Sequence, residues 1–169
     1  MPPPSLIPMT SHPPNKSVGC PGTVSATLRP YREQRGTIVS KVTWKTEPDP
    51  HDYPAAASYL SLIATTDQIN DLIDQLKTAP LSHYKAKDML RASGLRLLPP
   101  DNPHVAADLT KVKNNKALSP VLLIRGDLTH AIPLQIADGY HRVCASYHLD
   151  ENTDIPCRIT TGPRTRPDT

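Results

Sequence analysis

One short segment of the chain combines residue types that could bind an anion. After the apolar pair Ile136-Ala137 comes the run Asp138-Gly139-Tyr140-His141-Arg142, and the pattern then favours a helix through residue 148. A strand that stops at a glycine and turns directly into a helix exposes unpaired backbone N–H groups, which form an anion site. His141 and Arg142 in the first turn would add an imidazole and a guanidinium. The segment therefore predicts a phosphate-binding turn.

The same residues also allow a purely structural interpretation. Asp138 would cap the helix, and Arg142 would pair with a nearby carboxylate such as Asp138 or Asp154. Basic residues in a first turn oppose the helix macrodipole by a few tenths to about 1 kcal/mol, a cost that a bound polyphosphate would reverse. The sequence leaves the two interpretations open.

Two further roles are conceivable for acidic and basic groups near this turn. Asp138 could ligate Mg²⁺ that bridges phosphates, because this hard cation prefers carboxylate and phosphate oxygens. Asp138 and His104 are the candidates for a catalytic base, because carboxylates and imidazoles can accept protons. His104 follows Asn102-Pro103 at a predicted helix start, where it could face the same pocket.

The cysteines suggest two other kinds of chemistry. His141, Cys144 and His148 share one helix face at spacings that suit zinc, and Cys157 follows on the last predicted strand. Cys144 could also act as a nucleophile with His141 one turn away. A thiol in an apolar helix usually behaves as a small buried hydrophobe and is inert, which is the competing interpretation.

The surrounding elements predict an α/β (α+β) domain with a small mixed sheet and flanking helices. Residues 121–124 and 134–137 are apolar runs on either side of a turn-forming loop, and residues 155–159 form a closing strand. Residues 95–98 predict another strand, and residues 102–113 predict the helix that follows it.

Residues 51–94 predict a helical unit in front of that domain. Thr65 and Gln68 are spaced as a capping box, with an apolar stripe behind them that predicts a secure second helix. Ser82 would cap a third helix, which would end at Gly94 in a left-handed conformation.

The composition of the N-terminal part differs from the rest. Ten of the 20 prolines fall within residues 1–50, which predicts a disordered tail, and residues 161–169 are predicted to be disordered as well. Residues 37–45 could contribute a short strand. Another possibility is a misplaced start codon, with the functional chain beginning near residues 42–44.

Charge and cysteine content exclude several classes of protein. Residues 1–50 carry six Lys and Arg against three Asp and Glu, whereas residues 51–169 carry thirteen of each sign, so nucleic-acid binding is not expected. Three cysteines do not make a disulfide framework. No run reaches the roughly 18 apolar residues of a membrane span, and no signal peptide is recognisable, so we expect a cytoplasmic protein without a membrane partner.

Three segments in the same order resemble the ParB/sulfiredoxin superfamily over about residues 95–159. They are PVLLIRG at 120–126, IADGYHRVCA at 136–145 and IPCRI at 155–159. In sulfiredoxins the corresponding loop reads Gly-Cys-His-Arg and grips ATP phosphates, and in ParB-type partition proteins it reads Gly-Glu-Arg-Arg and grips CTP. The resemblance implies that Gly139, Tyr140, His141 and Arg142 form a nucleotide site, and that the helix from His104 lies beside the nucleotide.

Two departures limit what the resemblance implies. Tyr140 stands where sulfiredoxins have their nucleophilic cysteine, so reduction of sulfinic acids is not expected. No basic helix-turn-helix follows Ile159, so partition-type DNA binding is not expected either. The sequence thus predicts binding of ATP or CTP, with Mg²⁺ as a possible cofactor, and leaves phosphoryl transfer or hydrolysis open. The alternative is a non-catalytic protein–protein interaction module that keeps the fold without an active pocket.

Overall fold

The structure, a computed structural model, describes residues 41–162. These residues form five helices and four strands, which confirms the predicted α/β class with a small mixed sheet and flanking helices. In chain order the elements are α1 (Asp52–Leu60), α2 (Thr66–Thr78), β1 (Leu81–Lys85), α3 (Ala86–Ser93), α4 (Pro103–Lys113), β2 (Val121–Arg125), β3 (Gln135–Asp138), α5 (Tyr140–Leu149) and β4 (Asp154–Thr161).

The four strands form one sheet in the order β1-β4-β2-β3. Strands β2 and β4 are parallel at its centre, with Val121 opposite Cys157 and Leu123 opposite Ile159. Strand β1 pairs antiparallel with β4, and β3 pairs antiparallel with β2. The central strand β2 is buried along its whole apolar run, as expected for a strand that is covered on both faces.

Helices cover both faces of the sheet. Successive residues of β2 point to opposite faces, so each group of helices buries alternate residues of this strand. Helices α1 and α2 pack on Leu122 and Ile124, whereas α3, α4 and α5 pack on Val121 and Leu123. The first core buries the helical residues Ala56, Leu60, Leu72, Ile73 and Leu76. The second core buries the helical residues Ala86, Met89, Leu90, Val105, Val143, Cys144 and Ala145. None of the helices within residues 41–162 has both the length and the apolar composition needed to span a bilayer.

The starts of α2 and α4 agree with the sequence analysis. The Thr65 side chain accepts the N–H of Gln68, and the Gln68 side chain accepts the N–H of Thr65 at 3.0 Å, so the capping box is confirmed. At α4 the Asn102 side chain accepts the N–H groups of His104 and Val105. Both helices therefore begin with their first N–H groups satisfied locally.

The third predicted helix is wrong over its first half. Residues Leu81–Lys85 form strand β1, in which Ser82 lies opposite Cys157 instead of capping a helix. Helix α3 begins only at Ala86, and its end at a left-handed Gly94, with φ of +66°, is confirmed. These residues form a strand because of a long-range interaction. The backbone of β1 forms hydrogen bonds with the N–H and C=O groups of β4, which would otherwise be an open edge. Segment 51–94 thus contributes an edge strand as well as helices.

The strand predicted at residues 95–98 is also wrong. This segment is a loop that runs along α5 without pairing to the sheet. The Tyr140 hydroxyl donates to the Arg96 carbonyl, and the Nε2 atom of His148 lies 2.7 Å from the Leu98 carbonyl oxygen. Side chains of α5 therefore satisfy the carbonyl groups that a neighbouring strand would otherwise bind.

The described part of the N-terminal segment packs against the domain. Val42 is buried with Val112 and Leu118, and Trp44 forms an isolated β-bridge with Leu118. The tail and short strand predicted up to residue 40 lie outside the described residues, as do residues 163–169 of the predicted C-terminal tail. Val42 and Trp44, which the sequence analysis included in the disordered tail, therefore contact the folded domain.

Candidate anion-binding site at the start of helix α5

A single glycine connects strand β3 to helix α5. Gly139 has a φ of +98°, which side-chain-bearing residues rarely adopt. A Cβ atom at this position would lie 2.9 Å from Cγ2 of Val121 and 3.0 Å from Nε of Arg142. The predicted strand-glycine-helix turn is therefore present, and both the backbone and the packing require glycine there.

Among residues 41–162, no side chain caps the N-terminus of α5. The first N–H groups of a helix have no partner within the helix, and they carry the positive end of its dipole. Asp138, which the structural interpretation assigned as the cap, does not accept these N–H groups but binds Arg142 instead. Within the described part of the chain, the first N–H groups of α5 therefore lack a side-chain acceptor.

Arg142 points into the protein and not away from the turn. The residue is only 9% exposed. Its Nη2 donates to Oδ2 of Asp138, and its Nη1 lies 3.3 Å from both carboxylate oxygens of Asp52. The pairing of Arg142 with Asp138 is the structural alternative left open above, and the geometry agrees with it. One guanidinium thus joins α1, β3 and α5.

Asp52 is the functional residue that the sequence analysis missed. It is 2% exposed, accepts a hydrogen bond from the Ser119 hydroxyl, and accepts the N–H of Asp49 at 2.9 Å. Nothing in the local pattern distinguished it from an ordinary acidic residue in a first helical turn, since its partner Arg142 lies 90 positions further along the chain. Only the tertiary fold brings the two together.

The two carboxylates share one cation, and this affects their titration. Burial raises the pKa of Asp138, the Arg142 guanidinium opposes that rise, and the nearby Asp52 charge adds to it. The group therefore binds its proton more tightly than an exposed aspartate would.

Two histidines meet beside the open end of α5. The rings of His104 and His141 have centroids 4.6 Å apart and planes inclined by 35°. His104 is exposed at the second residue of α4, whereas His141 is half-buried. Burial lowers the pKa of His141, and the charges of His104 and Arg142 lower it further while Asp108 opposes them. At neutral pH the His141 ring is therefore a neutral imidazole with one N–H donor.

Tyr140 and Cys144 face the loop at residues 95–98. The Tyr140 hydroxyl is bonded to the Arg96 carbonyl, and burial raises the pKa of both Tyr140 and the Cys144 thiol. A thiol with a raised pKa is a poor nucleophile, which weighs against the covalent role considered for Cys144. The Tyr140 side chain anchors the loop, and a role of Tyr140 in nucleotide binding stays a prediction.

The geometry does not bring together a zinc site. His148 bonds to the Leu98 carbonyl, and Cys157 is buried in β4, where burial raises its pKa to about 12. Within the part of the chain that the structure describes, no three His, Cys, Asp or Glu side chains are grouped to hold a metal ion. Asp138 as a ligand of Mg²⁺ remains a prediction.

No protein-family model, curated protein or solved structure matches the chain. A functional assignment therefore rests on the geometry of the α5 turn and on the sequence resemblance described above.

The close packing around Gly139 predicts how much an alanine there would destabilise the protein. We expect Gly139→Ala to lower the free energy of unfolding by about 2–4 kcal/mol, because it combines a left-handed backbone with a close approach to Val121 and Arg142. Gly94→Ala is the matched control, since Gly94 is also left-handed but a Cβ there meets nothing within 4 Å. Urea unfolding of both variants measures the difference, and equal losses would contradict the packing argument.

The buried ion network makes a second prediction. Arg142→Ala leaves Asp52 and Asp138 buried without a cation, so we expect a loss of about 3–5 kcal/mol in the free energy of unfolding at neutral pH. Arg91→Ala is the control, because Arg91 is 83% exposed in its pair with Asp88 and should cost less than about 1 kcal/mol. Similar losses in the two variants would show that the buried ion network does not contribute to the free energy of unfolding.

The loss in Arg142→Ala should also depend on pH. Arg142 holds the pKa of Asp138 down, so this pKa rises further in the variant. A carboxyl group with a raised folded-state pKa contributes full stability below its unfolded pKa and loses it as the pH rises through the folded value. The difference between variant and parent should therefore shrink from about pH 7 to about pH 4.5. A difference that is constant with pH would argue against the pairing.

Proposed function

We propose that the chain binds a phosphate-bearing nucleotide, ATP or CTP, at the start of α5. One observation carries the proposal: the uncapped first turn of α5 lies next to the imidazoles of His141 and His104. Open backbone N–H groups and the helix dipole attract an anion, and each imidazole can donate a further hydrogen bond. The resemblance to the ParB/sulfiredoxin superfamily supports a nucleotide over other phosphate compounds.

Arg142 takes a different role here from the one that the resemblance implies. Its guanidinium is occupied by Asp52 and Asp138, so in this proposal it shapes the Gly139 turn and does not contact phosphate. Because Asp138 is bound to the same guanidinium, Mg²⁺ that enters with the nucleotide would be held chiefly by phosphate oxygens and water. His104, exposed at the edge of the site, is the candidate base for hydrolysis or phosphoryl transfer.

A protein-interaction module remains the second candidate. The apolar stripe of α1 and α2 packs on the sheet of the same molecule, so it does not offer a docking face. Leu62 and Ile63, in the turn between these helices, are 80% and 59% exposed and are the residues through which a partner would bind. A cytoplasmic location fits either candidate.

Calorimetric titration tests the nucleotide site. We expect saturable heat with ATP or CTP, with and without Mg²⁺, and an affinity about tenfold lower in His141→Ala and in His104→Ala, because each loses a hydrogen bond to a charged oxygen. His83→Ala is the matched control, since His83 is an exposed histidine on β1. No heat from the folded protein with any nucleotide, or equal weakening in all three variants, would sink the proposal.

The pH dependence follows from the pKa of His141. This pKa is lowered, so the ring is neutral at pH 7 and gains its proton only on further acidification. A protonated imidazole attracts phosphate more strongly, so affinity should increase as the pH falls from about 7 to about 5. The increase should be smaller in His141→Ala, and an affinity that is unaffected by pH in the parent protein would contradict the role of this ring.

A further inference from the structure

A second cavity lies at the opposite end of strand β2 from the α5 turn. It has a volume of about 480 Å³, within the range of roughly 300–1,000 Å³ that is typical of small-molecule sites. Gly139 packs against Val121, the first residue of β2. The cavity is lined by Arg125, the last residue of that strand. A five-residue strand separates the two by roughly 13 Å, so the cavity is distinct from the anion site.

The floor of the cavity is apolar and rigid. It is lined by Leu123 on β2, Ile159 on β4 and Met89 on α3, with Leu134, directly before β3, closing one side. Leu123 and Met89 are at most 1% exposed and belong to the core, so the surface open to a ligand is that of the partly buried Ile159 and Leu134, which pack against this core. These side chains are held by packing, so the cavity is part of the fold and offers a preformed apolar surface.

The outer wall is a closed loop at residues 126–133. Asp127 and Ile132 exchange two backbone hydrogen bonds, each 2.8 Å long. Ala131 has a φ of +55°, a conformation that costs energy for a residue with a side chain and persists where the surroundings enforce it. Gly126 sits so close beneath the loop that a Cβ there would lie 2.7 Å from the carbonyl carbon of Pro133. The loop is therefore fixed in place over the cavity.

One positive charge in the lining has no partner. Among the described residues, the Arg125 side chain makes neither an ion pair nor a hydrogen bond, whereas both carboxylates of the lining are engaged elsewhere. Asp88 pairs with Arg91 at 2.9 Å, and Asp127 pairs with His130 at 2.7 Å. The cavity thus combines an apolar floor with a single uncommitted guanidinium.

We propose that this cavity binds a small amphiphilic carboxylate, whose apolar body lies against Ile159 and Leu134 and whose carboxylate pairs with Arg125. A guanidinium matches a carboxylate in charge and in planar geometry. Leu128 is 102% exposed and Ile132 is 51% exposed at the mouth, so an apolar body would also cover side chains that water now surrounds. The closed wall and the limited volume favour a small molecule over a peptide.

Titration with octanoate and with 1-octanol tests the proposal, because the two probes share an alkyl chain and differ in charge. We expect octanoate to bind more tightly than octanol, and Arg125→Gln to weaken octanoate by about tenfold while leaving octanol unchanged. Ala92→Trp should abolish binding of both, since Ala92 is an exposed residue of α3 that lines the cavity, and a large side chain there occupies the space without entering the core.

Two further variants complete the experiment. Lys113→Gln removes an exposed cation at the end of α4 and should leave both probes unaffected, which controls for net charge. His141→Ala should also leave octanoate binding intact, so a failure of the nucleotide proposal is distinguishable from a failure here. Absence of octanoate binding, equal affinity for the two probes, or binding that survives Ala92→Trp would overturn the proposal.

Discussion

A buried guanidinium organises this fold. A charge as deeply buried as Arg142 is unfavourable unless carboxylates reach it, and here α1 supplies Asp52 while β3 supplies Asp138. The helix that carries Arg142 is thereby tied to the first helix and to the edge strand of the sheet. Gly139 follows from the same contact, because the guanidinium occupies space that a Cβ would need. The shape of the β3–α5 turn is in this sense a consequence of one ion network.

That network also decides which groups remain for a ligand. Two carboxylates already face one guanidinium, so an incoming phosphate gains little from Arg142 and meets a negative charge at Asp138. Burial keeps the pKa of His141 low, so neutral imidazole prevails near pH 7. Attraction for an anion at this turn therefore comes from oriented N–H groups and the helix dipole more than from net charge, an arrangement that the charge balance of residues 51–169 permits.

Local patterns predicted the parts of the structure that local forces determine. The capping box at Thr65, the apolar run of β2 and the glycine turn at Gly139 all agree with the sequence analysis, since each depends on neighbours within a few residues. Strand β1 was missed because its pairing partner β4 lies about 70 residues further along the chain. The Asp52–Arg142 pair was missed for the same reason. The pairing of Arg142 with Asp138, four residues away, was one of the two interpretations that the sequence left open.

The topology of the sheet explains why the two proposed sites lie at opposite ends of it. In sheets of this class, ligands lie outside the carboxyl ends of the strands, where loops and helix N-termini are free of the ladder. Strands β2 and β4 are parallel, so their carboxyl ends lie together beside the cavity that Arg125 lines. Strand β3 is antiparallel to β2, so its carboxyl end and the start of α5 lie at the opposite end of the strands. A mixed sheet thus has carboxyl ends of strands at both of its ends, and each proposed site lies beside one of them.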